Sequence, residues 1–204
     1  MFEQEKKELC RICHLLYQKE LVTAADGNVS RKTEDGFMLL TPSGKHKGML
    51  EPEEILVLDR SGEVREGSGR PSKEFPMHRA VYEHRPEVKA VIHTHPVYTT
   101  AFALAGRNLP EDHLIEMPMM LGRTALAPFA LPGTEEMAEA VKPYLEECSA
   151  ILLKNHGALT MGKNLTEAFC RMEVMESIAK TILLSAVLGK PERILAEDME
   201  KMRK

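Results

Sequence analysis

Three histidines in this sequence have the residue type and spacing of metal ligands. His93 and His95 lie two residues apart in the motif AVIHTHP, and His156 lies in the motif ILLKNHGAL. Side chains two residues apart on a β-strand point to the same face, so a strand over residues 88–95 would direct both imidazoles at one ion. Three imidazoles with one open coordination position are the usual ligand set of a catalytic zinc.

A carboxylate, Glu74, could complete such a site. It lies in the segment PSKEFP, directly before a predicted helix. It could bind the metal, act as a general base, or stabilise the helix N-terminus through the helix dipole. His78, one turn into that helix, could orient a neighbouring ligand. The sequence alone leaves these roles of Glu74 open.

Two polar turns and one Ser–Lys pair could bind a phosphate group. The turns are GNVS at residues 27–30 and TPSG at residues 41–44, and the pair is Ser72 and Lys73. Backbone N–H groups, small hydroxyls and an ammonium near a helix N-terminus suit a phosphate dianion. Each segment by itself is typical of an ordinary turn, so the prediction depends on the fold bringing them together.

The elements that must position these residues are a mixture of strands and helices. Apolar periodicity, prolines, glycines and a capping-box spacing at Asn164 and Glu167 predict helices over residues 2–20, 76–85, 97–105, 134–147 and 164–189. The fourth of these is expected to be interrupted or bent at Pro143. The same signals predict strands over residues 28–31, 36–40, 55–59, 63–65, 88–95, 125–130, 150–154 and 157–161. This mixture predicts a single layered α/β domain over residues 1–204.

Composition excludes several classes of partner. The chain has 204 residues, a formal net charge of -4 and no basic stripe, which argues against nucleic acid. No apolar run approaches the roughly 20 residues of a membrane span, and the charged N-terminus lacks a signal-peptide core, so we expect a cytoplasmic protein. Cys10 and Cys13 form a CxxC motif, but Cys13 fits the apolar face of the first helix and is expected in the core.

Four motifs together resemble a known family. The segments DGNVSRK, LLTPSGK, RPSKEFPMHRAVYEHRPEVKAVIHTHP and LLKNHGALTMGKNLTEAF, in this order, are similar to the class II aldolase/adducin family over residues 5–190. The resemblance implies a three-layer α/β/α domain with a central, largely antiparallel sheet. It also implies a homotetramer with active sites at subunit interfaces, and a divalent metal, usually Zn²⁺, held by His93, His95 and His156.

The resemblance also implies roles for the other candidates. Glu74 matches the acidic residue that binds the metal at rest and acts as the base once substrate displaces it. Asn28, Ser43, Gly44, Ser72 and Lys73 match the loops that hold phosphate. We therefore expect a zinc-dependent aldolase. It would cleave a short phosphorylated ketose to a glycerone-phosphate-type fragment and an aldehyde through a metal-stabilised enediolate.

Several departures from the family pattern keep other reactions open. The common SSE is SKE here, and His113 and Glu116 lie where fuculose-type aldolases carry a tyrosine proton donor. The segment after Gly189 also has no tyrosine. These departures argue against fuculose 1-phosphate as the substrate and make His113 or Glu116 a candidate acid.

The same metal site would serve a sugar-phosphate dehydratase, an oxo-acid-phosphate decarboxylase or a 4-epimerase. An oligomeric scaffold is the alternative from another class, although the family's non-catalytic members lack the metal histidines.

Overall fold

A computed structural model describes residues 1–202 of the chain, and its centre is one eight-stranded sheet. The strand order is β4-β3-β2-β1-β5-β8-β7-β6. Six of the seven neighbouring pairs in these residues are antiparallel, and β6 runs parallel to β7. The strands are β1 (Asn28–Lys32), β2 (Met38–Leu40), β3 (Leu56–Leu58), β4 (Val64–Glu66), β5 (Ala90–Thr94), β6 (Arg123–Ala127), β7 (Cys148–Leu153) and β8 (Gly157–Gly162). The prediction of a mixed α/β fold is confirmed.

Alternate strand residues point to opposite faces of this sheet, and the two faces pack against different helices. Ile92 of β5 packs in a cluster with one set of helices, and its neighbour Val91 packs with the other set. The first set is α1 (Glu3–Gln18), α3 (Val97–Leu104) and α5 (Leu165–Leu188). The second set is α2 (Phe75–His84) and α4 (Glu135–Val141), and α6 (Ala196–Met202) follows near the end of the chain.

The first and last long helices form for the reasons that the sequence suggests. Leu9, Cys13 and Leu16 of α1 are fully buried. Both thiols of the CxxC motif are buried, and burial raises the pKa of Cys10 to about 12. The motif therefore belongs to the hydrophobic core. Helix α5 begins after Asn164, whose side chain accepts a hydrogen bond from the backbone N–H of Glu167 at 2.8 Å.

Several element boundaries differ from the sequence prediction. The helix predicted over residues 134–147, with an interruption or bend at Pro143, ends at Val141, because Pro143 lies in a short 3₁₀ turn over Lys142–Tyr144. The strand that carries the histidine pair ends at Thr94, so His95 lies one residue beyond it. Among the residues described, no helix combines the length and the hydropathy that crossing a membrane would require.

Candidate metal centre

The three histidines converge from separate parts of the chain. His93 lies on β5, His95 follows that strand, and His156 closes the turn between β7 and β8. Their ring centroids are 4.7–4.9 Å apart. One potential ligand atom from each ring lies within 4.8 Å of the other two. The structure thus brings together all three histidines that the sequence singled out.

Local backbone geometry explains why the three rings can come so close. Asn155 adopts a left-handed conformation with φ 57° in the β7–β8 turn, and the backbone N–H of His156 donates to the carbonyl of Leu153 at 3.0 Å. The next residue is Gly157. A Cβ atom there would lie 2.5 Å from the Thr94 carbonyl oxygen and 2.6 Å from Cδ2 of His95. A glycine at this position lets β8 begin directly against His95.

Glu74 reaches the same point from the beginning of α2. Its Oε2 lies 3.2 Å from Nε2 of His93, and its Oε1 lies 3.3 Å from Nε2 of His156. Nε2 of His95 lies 3.1 Å from Nε2 of His93. Two ligands bound at about 2.0–2.1 Å to one tetrahedral zinc are roughly 3.3–3.4 Å apart. The spacing of these four side chains therefore suits a shared divalent ion.

Hydrogen bonding directs several acceptor atoms at one point of this cluster. Nδ1 of His93 lies 2.9 Å from the carbonyl oxygen of Ala158, an acceptor only, so Nδ1 is protonated, and in the neutral imidazole Nε2 carries a lone pair. That lone pair faces an oxygen of Glu74, another acceptor. Within residues 1–202, Oε1 of Glu74 is buried and has no hydrogen-bond donor. Buried acceptors that face one another require a cation or a proton between them, so the donor set fits a metal ion.

The electrostatics of the individual groups favour metal binding at neutral pH. Burial, assisted by the neighbouring imidazoles, lowers the pKa of His95 to about 4. Burial and His93 lower the pKa of His156 to about 4 as well. Burial alone would raise the pKa of Glu74, but His93, His156 and the Asn28 amide outweigh it and hold this pKa well below its ordinary value. Two neutral imidazoles and a carboxylate are therefore available as ligands at pH 7.

The phosphate-binding candidates surround a cavity of about 250 Å³ beside this cluster. The residues that line it include all five candidates together with three members of the cluster: Asn28, Ser43, Gly44, Ser72, Lys73, Glu74, His95 and His156. Ser43, Gly44 and Lys73 are exposed, whereas Asn28 is only 3% exposed. The Ser72 hydroxyl accepts a hydrogen bond from the backbone N–H of Glu74 at 3.2 Å. The fold thus assembles the separate turns into one concave site.

The cavity also contains residues that sequence reasoning missed. Asp26 lies with its Oδ2 4.0 Å from Nδ1 of His95. Lys47 is only 1% exposed and donates to the backbone carbonyls of Ala25 and Lys45 at 3.0 and 2.9 Å, which ties the two polar turns together. Burial lowers the pKa of Lys47. No periodic or motif signal marks Lys47, since its role depends on contacts between distant turns.

The two candidate acids lie elsewhere in a single chain. Nδ1 of His113 is 2.8 Å from a carboxylate oxygen of Asp112, and Glu116 directly precedes a π-helical turn over Met117–Leu121. Neither of them lines the cavity formed by residues 1–202 of one chain.

A larger groove of about 430 Å³ is lined by other residues, among them Lys32, Arg60 and Arg79. Its charges are mixed, and the potential metal-binding group found in residues 1–202 is the histidine triad, so we place the chemistry in the smaller cavity.

The chain is similar to several known proteins over most of its length. The family described as "Class II Aldolase and Adducin N-terminal domain" matches residues 7–183. An L-fuculose phosphate aldolase of Methanococcus vannielii is 40% identical over 174 residues, 85% of this chain and 93% of that protein. A 3-oxo-tetronate 4-phosphate decarboxylase of Escherichia coli K12 is 33% identical over 183 residues, 88% of this chain and 86% of that protein. A solved L-fuculose 1-phosphate aldolase has a TM-score of 0.88 at 34% identity, and covers 97% of this chain and 93% of its own.

Proposed function

This chain belongs to the class II aldolase and adducin family, and we propose that it is a zinc-dependent lyase. The proposed reaction is an aldol cleavage of a short phosphorylated ketose to a glycerone-phosphate-type fragment and an aldehyde. The observation that carries this proposal is the convergence of the three imidazoles and the Glu74 carboxylate, with contacts of 3.1–3.3 Å, at the floor of a polar cavity.

His93, His95, His156 and Glu74 are the residues that would hold the metal. A divalent ion bound there would supply Lewis-acid polarisation of a sugar's carbonyl and neighbouring hydroxyl oxygens. Imidazole nitrogen and carboxylate oxygen are ligands that Zn²⁺ prefers, which supports zinc as the ion. His93 is fixed in the correct tautomer by its hydrogen bond to the Ala158 carbonyl.

Glu74 is the proposed base. Its carboxylate is ionised at neutral pH and lines the cavity, and its Oε1 has no donor among the residues described. It is therefore free to move a proton at the carbon next to the substrate's carbonyl group. A positioned acid–base group of this kind contributes roughly 10²–10⁴-fold to a rate.

The phosphate would anchor the substrate at the opposite side of the cavity. Ser43, Gly44, Ser72 and Lys73 offer exposed or half-exposed donors there. Asn28 was expected to share this task, but one amide hydrogen and its oxygen are already used within the protein, so one N–H remains for a substrate. Fixing the phosphate holds the sugar chain over Glu74, which converts binding energy into orientation.

A decarboxylase of an oxo-acid phosphate is the second candidate. Two observations favour it: the 33% identical relative named 3-oxo-tetronate 4-phosphate decarboxylase, and Lys73, an exposed cation at the rim of the cavity that could bind a substrate carboxylate. A dehydratase and a 4-epimerase would use the same ligand set, but no contact in the site favours them.

One panel of substrates separates these reactions. The zinc-loaded protein would be incubated with ketose 1-phosphates of five and six carbons, fuculose 1-phosphate included, and with 3-oxo-tetronate 4-phosphate. We expect glycerone phosphate from at least one ketose, lost in chelator and restored by Zn²⁺. Release of CO₂ alone would replace the aldolase with the decarboxylase. A protein that keeps no divalent metal and acts on no member of the panel would favour the scaffold.

We also propose that the chain forms a homotetramer and that its single domain has three layers. The two hydrophobic clusters on opposite faces of the sheet support the layers. Apolar side chains on the last turns of α5, from Leu183 to Leu188, are 43–92% exposed, which supports burial of this helix end against another copy. Light scattering of the purified protein tests the tetramer through its mass.

A further inference from the structure

A chain of buried hydrogen bonds leads from Glu74 into the core. Nδ2 of Asn28 donates to Oε2 of Glu74 at 2.8 Å, and Oδ1 of Asn28 lies 2.5 Å from Nε2 of His78. On its other side, Nδ1 of His78 lies 2.7 Å from the hydroxyl of Ser30, which lies 2.7 Å from the hydroxyl of Tyr82. The metal-site carboxylate is thus the end of a five-residue relay.

Two regular elements hold this relay. Asn28 and Ser30 lie two apart on β1 and point to one face of the sheet. Glu74, His78 and Tyr82 are spaced four apart at the start of α2 and along it, so they share one face of the helix. The four residues behind Glu74 are 0–5% exposed. Because water is excluded, these polar groups find their hydrogen-bond partners within the protein.

The direction of each hydrogen bond follows from one residue to the next. Burial lowers the pKa of His78 to about 3, so its imidazole is neutral and carries one N–H. Oδ1 of Asn28 can only accept, so Nε2 of His78 is the donor and Nδ1 accepts from the Ser30 hydroxyl. The single hydrogen of Ser30 is then used, and Tyr82 donates to Ser30. The donors of His78, Ser30 and Tyr82 are all satisfied in this arrangement.

This arrangement of donors and acceptors fixes the orientation of the Asn28 amide. In the reversed amide, Oδ1 would face Oε2 of Glu74, and two acceptors would meet beside a carboxylate. The N–H donor of His78 favours the observed orientation, because it supplies the hydrogen that Oδ1 needs on the side away from Glu74. His78 touches Asn28 and does not itself line the cavity.

We propose that His78 is a positioning residue for Glu74: by donating to Oδ1 of Asn28, it turns the Asn28 amide hydrogen toward Glu74 and holds the carboxylate against the three imidazoles. This inference rests on the proposed function, in which Glu74 moves the proton. In this proposal Asn28 orients the Glu74 carboxylate, a role that the phosphate-binding motif did not indicate.

Two substitutions of His78 and one matched control test the proposal. His78→Leu removes the donor to Asn28, whereas His78→Gln keeps an amide N–H at a similar distance from the backbone. Tyr82→Phe is the control, because it removes a buried hydroxyl that donates to Ser30, and it leaves the bonds from Ser30 to His78 and from His78 to Asn28 in place. With the substrate found for the wild type, we expect His78→Leu to lower kcat about 10- to 100-fold and to leave KM within about threefold. His78→Gln should recover most of this loss, and Tyr82→Phe should keep kcat within about threefold of the wild type.

A readout that needs no substrate separates this proposal from the proposed function. Each variant would be loaded with Co²⁺ in place of zinc, and its metal content and visible absorption spectrum would be measured, since the spectrum reports the ligands around the ion. We expect the spectrum of His78→Leu to shift toward that of Glu74→Gln, while His78→Gln and Tyr82→Phe match the wild type. A wild type that is inactive on the whole panel would overturn the lyase, and this comparison would still test the positioning of Glu74.

Several results would overturn the proposal. One is a His78→Leu protein with the kcat and cobalt spectrum of the wild type. Another is a Tyr82→Phe protein that loses as much as His78→Leu, since the effect would then be a general loss of packing. If His78→Leu does not fold, Ser30→Ala tests the other nitrogen of the ring. We expect a smaller decrease of kcat and a spectral shift in the same direction, and unchanged values of both would overturn the proposal.

Discussion

Glu176 of α5 holds the beginning of α3, two residues after a proposed metal ligand. The backbone N–H groups of Tyr98 and Thr99 donate to its two carboxylate oxygens at 2.8 Å, and the Thr99 hydroxyl donates to one of them at 2.8 Å. The preceding residues are His95 and Pro96. Replacing Glu176 with alanine would remove both acceptor oxygens, and with them all three hydrogen bonds, at the point where the chain leaves the candidate metal centre.

The size of the effect follows from burial. Thr99 is 0% exposed, so water cannot replace the lost partner of its hydroxyl or its N–H. A buried donor left without an acceptor costs about 1–3 kcal/mol, and loss of a helix cap costs about 1 kcal/mol. We expect Glu176→Ala to lower the free energy of unfolding by about 2–4 kcal/mol. Glu176→Gln keeps one carbonyl acceptor and should lose about half as much.

Urea unfolding of chelator-treated protein, followed by circular dichroism, measures this difference. The matched control is Glu173→Ala, one turn earlier on the same helix, where Glu173 makes an exposed ion pair with Lys19 at 3.0 Å. Such a pair contributes about 0–1 kcal/mol. If the two alanine variants differ by less than about 0.5 kcal/mol, α3 is not anchored in this way. Zinc affinity should also fall in Glu176→Ala, because the segment that carries His95 loses its support.

Three further predictions concern the candidate metal centre and the relay behind it. His95→Ala should lose metal and activity together, whereas Glu74→Gln should keep the fold and most of the metal but lose turnover. Near-normal turnover in Glu74→Gln would show that Glu74 is not the base. Gly157→Ala should lower the free energy of unfolding by about 1–3 kcal/mol and weaken metal binding. The new Cβ would lie 2.5 Å from the Thr94 carbonyl oxygen and 2.6 Å from the ring of His95. Equal metal titrations of this variant and the wild type would contradict the argument. In chelator-treated protein between pH 6.5 and 4.5, the free energy of unfolding should fall by about 2–3 kcal/mol more in the wild type than in His78→Gln. Burial lowers the pKa of His78 from 6.5 to about 3, so in this range the unfolded chain binds a proton that the folded chain excludes. Parallel pH curves of the two proteins in urea unfolding would show that His78 is not the group responsible.

The residues of the candidate site were predictable to the extent that their spacing is local. The two-residue period of a strand predicted that His93 and His95 share a face, and His156 follows a buried strand and precedes a glycine. Glu74 was a candidate from its place before a helix, and the family resemblance selected its role. The relay behind Glu74 had a local signal as well: His78 and Tyr82 follow it at intervals of four on one helix. What the sequence could not show is that β1 supplies the residues that link them.

The fold was predictable in its elements and less so in its boundaries and pairing. Apolar periodicity located α1 to within two residues, and the capping-box spacing together with Gly189 located the long helix α5 as closely. The region from residue 107 to residue 133 gave few signals, because its π-helical turn and the parallel strand β6 depend on contacts with distant segments. Lys47 and Glu176 were missed for the same reason. Both act by bonding backbone groups of another segment, and no spacing in one segment records such a contact.

The antiparallel sheet explains why residues so far apart in sequence form one site. Strand β5 runs opposite to both of its neighbours, so its last residues lie beside the first residues of β1 and β8. His93 is paired with Asn28, and Thr94 is paired with Ala158. The turns that lead into β1 and β8 therefore deliver Asp26 and His156 to the end of β5, where His95 lies. If these strands were parallel, the two turns would lie at the opposite ends of the strands from His95. The antiparallel direction of the three strands is therefore a condition for the candidate metal centre.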